Sequence, residues 1–240
     1  MVFNRSDLSH TTGLYPKPAD PGLTGEASFE GRTRIGWSVL VQRCLKRALD
    51  ILVSAILLVI LSPLFVVLAI LVILDSEGSI FYRWKVVGQG GRYFTGYKLR
   101  TMYKSADATK AELQARNEMQ GPVFKIKDDP RITRIGRLLR RYSLDELPQL
   151  WSVLKGDMSL VGPRPPLQTE WKQFSEWQKK KLGVTPGITC LWQVSGRNRI
   201  KTLDEWVKLD LEYIERWSLW LDFKILLRTI PAVITGRGAS

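Results

Sequence analysis

The chain has little of what most enzyme centres are made from. Among 240 residues there is one histidine, His10, and two cysteines, Cys44 and Cys190, far apart in the sequence. No zinc-site spacing and no disulfide framework can be read from two such cysteines. With His10 in a polar leader, a Ser-His-Asp, Cys-His or His-metal centre is excluded as the working hypothesis. Catalysis then falls to carboxylates, Lys, Tyr or an ion held by oxygen. The glycine patterns of Walker-type or dinucleotide-binding loops are also missing. No internal repeat occurs.

What is present is positive charge, tryptophan and one long apolar run. The formal net charge is +13, from 36 Lys+Arg against 23 Asp+Glu. Such a surplus favours polyanions: nucleic acid, anionic lipid or phosphorylated substrates. Nine tryptophans point towards a membrane interface. A hydrophobic content of 45% excludes a wholly disordered chain.

Residues 1–36 are rich in Gly, Pro, Ser and Thr and carry no apolar period, so a flexible leader is expected. The first long apolar run comes too late for a signal peptide. That run, residues 51–74, has no charged residue. As a helix it would reach roughly 36 Å, enough for a bilayer core. Two features complicate a simple crossing. Ser62-Pro63 sits at its midpoint, where proline removes a hydrogen bond and bends a helix. Basic residues flank both ends: Arg43, Lys46 and Arg47 before, Arg83 and Lys85 after. A crossing helix concentrates its basic flank on the cytoplasmic side. The pattern fits a re-entrant hairpin, and a kinked transmembrane helix remains the other reading. Asp50 and Asp75 bracket the run and are expected to mark where it meets water.

Residues 80–102 predict a strand pair joined by a turn at Gly88, Gly90 and Gly91. Residues 103–120 read as a polar helix. Residues 131–142 predict an amphipathic helix, with Ile135, Leu138 and Leu139 opposite Arg134, Arg137 and Arg141. Its basic face suits a membrane surface or plain solvent. Residues 144–155 predict a helix burying Leu147, Leu150, Trp151 and Leu154. Residues 166–182 and 203–234 also read as helical. The aromatic residues of 206–223 pack on the core or seat at a lipid interface.

Asp145-Glu146 follows the cations Arg131, Arg134, Arg137, Arg140 and Arg141. Pro148 places a helix start near Asp145. A carboxylate there would stay ionised, as a nucleophile requires. Asp is equally a favoured helix cap, and local pattern leaves both roles open. Gly162-Pro163-Arg164-Pro165-Pro166 is a stiff segment presenting one guanidinium, either a fork for phosphate or a rigid linker. Lys98 and Arg100 alternate with apolar residues and would share one strand face, to hold phosphate or to meet solvent. Ser195-Gly196-Arg197-Asn198-Arg199 is a polar loop able to line a phosphate or nucleotide site. Asp210 lies among apolar residues and needs a partner if buried.

Residues 43–238 resemble the bacterial sugar transferase family, monotopic phosphoglycosyl transferases acting on polyprenyl phosphate. The motifs are Lys46-Arg47 with Asp50, Ser62-Pro63, Tyr97-Lys98-Leu99-Arg100-Thr101-Met102 and Asp129-Pro130-Arg131-Ile132-Thr133. They continue in Ser143 to Leu150, Lys155 to Pro165, Pro186-Gly187-Ile188-Thr189, Trp192 to Asn198 and Trp217 to Asp222. The chain departs from the family pattern at Trp84, Lys85 and Val86, at Leu99 and at Cys190.

The resemblance implies an α+β, mainly helical fold. A re-entrant membrane helix at 43–76, broken at Ser62 and Pro63, would precede a small cytoplasmic catalytic domain at 77–238. That domain would carry amphipathic interfacial helices and a short β-hairpin. The resemblance also implies a two-step reaction. Asp145, in a dyad with Glu146, would attack the sugar-bearing phosphate of a UDP-hexose and release UMP. Undecaprenyl phosphate would then take the sugar phosphate. Mg²⁺ is implied as cofactor, held at Asp145 and Glu146. Lys98, Arg100, Arg140, Arg164, Arg197, Asn198 and Asp210 would bind phosphate or substrate. The expected location is the bacterial inner membrane with the site on the cytoplasmic face. Membrane lipid is a partner, nucleic acid is not, and a homodimer is allowed. The competing hypotheses are a non-catalytic, membrane-anchored basic binding protein and a multi-span transferase. One dominant apolar run argues against the latter.

Overall fold

The apolar run does not continue as one rod. In the computed structural model, which describes residues 37–195, 200 and 202–236, α1 (Trp37–Ile60) and α2 (Ser62–Asp75) meet at an angle of 62°. Pro63 has no N–H to give the carbonyl four residues back, that of Val59. The Ser62 hydroxyl donates to that carbonyl instead, at 2.8 Å. Ser-Pro thus bends the chain and satisfies the group that the bend orphans. Among the described residues no single helix is long and apolar enough to cross a membrane, but the bent pair together passes that test. Apolar side chains stand exposed on both arms, among them Leu52, Val59, Ile60, Val66 and Leu74. A continuous apolar surface of this kind marks contact with lipid or protein.

Two-residue alternation then takes over. β1 (Phe81–Val87) pairs antiparallel with β2 (Tyr93–Leu99), around a turn in which Gly90 and Gly91 hold φ of 65° and 83°. Gly96 faces Trp84 across the pair, and a Cβ on it would sit 2.3 Å from the indole nitrogen. The hairpin is the one expected over 80–102. Residues 103–120 do not form the expected helix. They hold only short 3-10 turns at Ala108–Lys110 and Gln114–Arg116. The segment has no apolar stripe to pack, and the Asn117 side chain bonds the backbone of Met119, Val123 and Lys125 instead.

α3 (Arg134–Arg141) is capped by Thr133, whose hydroxyl accepts from the Gly136 N–H, and it matches the expected amphipathic helix. Leu139 is fully buried, whereas Leu138 stands exposed. α4 (Gln149–Lys155) begins later than expected. Pro148 occupies its cap position, and Asp145 lies in a preceding 3-10 turn, Leu144–Glu146. Leu150 of α4 is buried as expected, but Trp151 is 54% exposed.

A second sheet pairs β3 (Ser159–Val161) in parallel with a later strand. Between them lie the short α5 (Gln168–Trp171) and α6 (Glu176–Lys179), pieces of the helix expected over 166–182. The partner strand, β4 (Gly187–Thr189), runs so close that a Cβ on Gly187 would meet the Gly162 nitrogen at 2.0 Å. α7 (Leu191–Val194), α8 (Leu203–Glu215) and α9 (Leu219–Thr235) complete the described chain. Ser218 caps α9 and so divides the helix expected over 203–234. One apolar cluster joins α4, β3, α8 and α9, with Val53, Leu57 and Leu58 of α1 against it. A second joins Trp192, Trp206, Val207 and Phe174. A third joins Leu68 and Val72 of α2 to Leu99 and Leu139. The leader expected over 1–36 lies outside the described residues.

Candidate active site

The third cluster sets the position of the carboxylate pair. Leu144 and Leu147 pack against it, so Asp145 and Glu146 between them face the other way, into a cavity of about 520 Å³. Ser143, at φ 53°, adopts the left-handed conformation that lets the chain leave α3 and enter this turn. Asp145 is buried and Glu146 half-buried.

Two cations from separate elements act on the pair, and a third enters the same cavity. Lys98, on β2, places its ammonium 2.6 Å from Glu146 Oε1 and 4.6 Å above the Trp84 ring. The departure at Trp84 therefore supplies a platform for Lys98, with Gly96 making room for the indole. Arg140, in the last turn of α3, donates its Nε–H to Thr101 Oγ1 at 2.9 Å. Burial pulls the Arg140 guanidinium below its ordinary range, and the charges of Asp145 and Asp129 act in the opposite direction. Arg164 extends from Pro163-Arg164-Pro165. That segment is tied at both ends, by the Gly187 N–H on the Pro163 carbonyl and the Val87 N–H on the Pro166 carbonyl. Its guanidinium lies 5.7 Å from the Trp206 ring, which stacks on Trp192 at 4.6 Å.

Asp210 is fully buried behind this stack, with Lys181 Nζ 2.5 Å from its Oδ2. Burial raises the Asp210 carboxyl above its usual range, and Lys181 opposes the rise. Asp210 thus has the partner that its apolar setting demanded, but it does not line the cavity. Burial, then the charge of Asp210, also pushes the Cys190 thiol far up, so it is no rival nucleophile.

Arg100 lines the same cavity, yet its guanidinium is committed elsewhere. It donates to the carbonyls of Val72, Ser76, Glu77, Gly78 and Ser79 and to the Ser76 hydroxyl, at the end of α2. β2 ends at Leu99, so Lys98 and Arg100 do not act as a pair on one strand face. Arg197 and Asn198 lie outside the described residues. Ser62 and Pro63 sit at the helix break, away from the cavity.

Sequence reasoning missed several members of the wall. Arg131 and Asp129 form a buried pair, Nη2 to Oδ2 at 2.6 Å, with Phe124 stacked 4.9 Å from the guanidinium. Burial alone would raise the Asp129 carboxyl, but the hydrogen bonds and charge of Arg131 hold it below its ordinary value. The Asp129-Pro130-Arg131 spacing was visible, and its i,i+2 opposite charges were the available signal. Lys181, which pairs with Asp210 outside the cavity lining, offered none, since its partner lies 29 positions away. Trp84, Phe124, Trp192 and Trp206 give the cavity an aromatic lining.

The carboxylates here also bear on the ion that the resemblance implies. Among the described residues no three His, Cys, Asp or Glu side chains group closely enough to hold a metal. Mg²⁺ does not need such a cage. It is commonly held by one or two carboxylates together with substrate phosphates and water. Asp145 and Glu146 fit that donor set.

A model of the family described as bacterial sugar transferase matches residues 41–236. The chain belongs to this family. It is 45% identical over 216 residues to a galactosyl transferase, CpsE, of Streptococcus agalactiae, covering 88% of this chain and 48% of that protein. It is 40% identical over 198 residues to the exopolysaccharide production protein ExoY of Sinorhizobium fredii, covering 81% and 87%. It is 43% identical over 201 residues to the undecaprenyl-phosphate galactose phosphotransferase of Salmonella typhimurium, covering 82% and 42%. The chain therefore spans about half the length of two of these relatives and most of the third.

Proposed function

We propose that this protein transfers a hexose 1-phosphate from a UDP-hexose to undecaprenyl phosphate, with Asp145 as nucleophile, as a membrane step of exopolysaccharide synthesis. The observation that carries the reading is the meeting of Asp145 and Glu146 with Lys98, Arg140 and Arg164 in one cavity. Those five residues come from four stretches of chain. Phosphoryl transfer chiefly needs charge neutralisation and positioning, and this is an arrangement that provides both.

The donor diphosphate binds against Arg164, Arg140 and Lys98. A carboxylate oxygen of Asp145 attacks the sugar-bearing β-phosphorus. The bond from that phosphorus to the bridging oxygen breaks, and UMP leaves with the electron pair. A phosphate oxygen of undecaprenyl phosphate then attacks the same phosphorus. The bond to Asp145 breaks, the carboxylate is restored, and undecaprenyl diphosphate hexose departs. Asp145 and Glu146 would hold a Mg²⁺ ion, whose charge would further neutralise the diphosphate. A covalent intermediate lets a soluble donor and a lipid acceptor use one cavity in turn. UDP-glucose and UDP-galactose are the proposed donors. Release of UMP across a panel of UDP-sugars, with undecaprenyl phosphate added, tests the reading. Activity with at least one hexose is expected, and none with any of them overturns it.

The same reading places the site on the cytoplasmic face of the inner membrane, with α1 and α2 as a re-entrant hairpin. Its support is that both ends of the bent pair are anchored in one body. At the first end Lys46 meets Asp222 at 2.6 Å, Arg47 donates to the Val153 and Leu154 carbonyls, and Asp50 accepts from the Leu160 N–H at 3.0 Å. Asp50 is thus buried in protein rather than facing water as expected. At the second end, besides the contacts of Arg100, Asp75 accepts from the Ile135 N–H at 3.0 Å. A crossing helix would carry one of these ends to the opposite side. Cys44 is exposed and Cys190 buried, so Cys44 is a native probe of the first end. In Glu77→Cys, an impermeant maleimide is expected to label both Cys44 and residue 77 from the cytoplasmic side only. Labelling of one from the periplasm would establish a full span. Pro63→Ala, which restores the missing hydrogen bond, is expected to shift the protein towards that span.

A further inference from the structure

The returning arm of the hairpin and the carboxylate pair share one support. Leu68 and Val72 of α2 form an apolar cluster with Leu99 and Leu139, and the leucines flanking the pair, Leu144 and Leu147, pack onto it. Arg100 closes the polar side of that support. Its six hydrogen bonds reach five carbonyls between Val72 and Ser79 and the Ser76 hydroxyl, across the end of α2 and the residues that follow it. Gly78, at φ 124°, leaves room for it, since a Cβ there would lie 3.3 Å from Arg100 Nη1. Two residues earlier on the same stretch of chain, Lys98 holds Glu146. A guanidinium presents five N–H donors in a fixed fork; an ammonium has three.

We infer that Arg100 is a positioning residue for the transfer proposed above: it seats the returning end of the hairpin on β2, so that Lys98 keeps its place and, through its bond to Glu146, holds the carboxylate turn. It does not grip substrate phosphate. Anything that lifts the end of α2 then loosens the dyad without touching it. The inference rests on the proposed reaction for its kinetic part only.

The test compares the full chain in lipid nanodiscs as wild type, Arg100→Lys, Lys98→Met and the double variant. A displacement of about an ångström can cost up to about 100-fold in rate. Arg100→Lys is expected to lower kcat within that range, and to raise KM for the UDP-sugar no more than Lys98→Met does. The double variant is expected to be no worse than Lys98→Met, because the first residue acts through the second. A raised KM with unchanged kcat, or losses that multiply in the double variant, would overturn the inference. Backbone hydrogen exchange supplies a readout that needs no turnover. Arg100→Lys is expected to speed exchange in residues 72–79 and also in 143–147, while Lys98→Met speeds it in 143–147 alone. Acceleration confined to 72–79, or spread evenly over the whole chain, would refute the coupling. If wild-type protein released UMP from no UDP-sugar, the reaction would fail while the exchange data still decided the coupling.

Discussion

Asp145→Asn is expected to reduce turnover by a factor on the order of 10⁴ or more, the scale of losing a covalent nucleophile. The substitution removes the attacking oxygen's charge and keeps the side chain's size. Arg164, Arg140 and Lys98 remain to hold the diphosphate, so UDP-sugar affinity is expected to stay within a few-fold of wild type. Incubation with donor alone provides the second measurement. In the wild type, the proteolytic peptide containing Asp145 is expected to gain the mass of a hexosyl phosphate, and one UMP should appear per enzyme. Neither is expected in Asp145→Asn. Full turnover in the variant, or an adduct on another residue, would reject the mechanism. The local setting explains why this carboxylate suits the task. It is buried in a cavity lined by many cations, beside Arg140, whose charge its own charge helps to preserve. An anionic nucleophile can approach an anionic diphosphate only where such cations screen the repulsion.

Features of the chain that depend on one residue and its near neighbours were legible from sequence. Pro63 bends a helix wherever it stands, and Ser62 beside it could already supply the missing donor. Gly90 and Gly91 mark a turn because they reach positive φ without cost. The 131–142 period gave α3 because the arginines and leucines alternate at helical spacing. Features that depend on a distant contact were not legible. β3 and β4 have three residues each and exist because Gly162 and Gly187 let two backbones touch. The turn at Asp145 was mistaken for the start of a helix, since Pro148 is compatible with the first turn and with the cap alike. Here the difference matters. As a helix cap, Asp145 would draw on the backbone N–H groups of that helix. In the observed turn, its neighbouring leucines orient it. Arg100 shows the same limit. Tyr97-Lys98-Leu99-Arg100 predicted two cations on one face, and only the fold reveals that one of them turns to the end of α2. Asp145, Glu146, Lys98 and Arg164 lie within long motifs, whereas Phe124 and Trp206 join the cavity only through the fold.

Lys46→Met is expected to destabilise the protein by about 3 kcal/mol, at the lower end of the range for breaking a buried ion pair. Lys46 reaches from α1 to Asp222 at 2.6 Å and to the Val161 carbonyl at 3.0 Å, so one ammonium ties the first foot of the hairpin to α9 and β3. Its loss leaves Asp222 with hydrogen bonds from Tyr213 Oη at 2.7 Å and Trp217 Nε1 at 3.2 Å, but with no cation. Those two bonds keep the effect from the top of the range. For a body of this size the thermal midpoint in detergent should fall by roughly 6–12 °C. The pH dependence identifies the cause. Burial already raises the Asp222 carboxyl above its ordinary value, with Lys46 the first of the groups opposing the rise. Without Lys46 it rises further. A carboxyl whose folded pKa lies above its unfolded value contributes stability that is present at low pH and lost as pH climbs through the folded pKa. The deficit of Lys46→Met is therefore expected to be largest near pH 8 and to shrink as Asp222 takes up a proton in more acid solution. Asp222→Asn, added to Lys46→Met, should recover most of the loss at pH 8 because it removes the unpaired charge. A deficit equal at pH 5 and pH 8, and untouched by Asp222→Asn, would mean that Lys46 anchors the hairpin through the packing of its alkyl chain rather than through its charge.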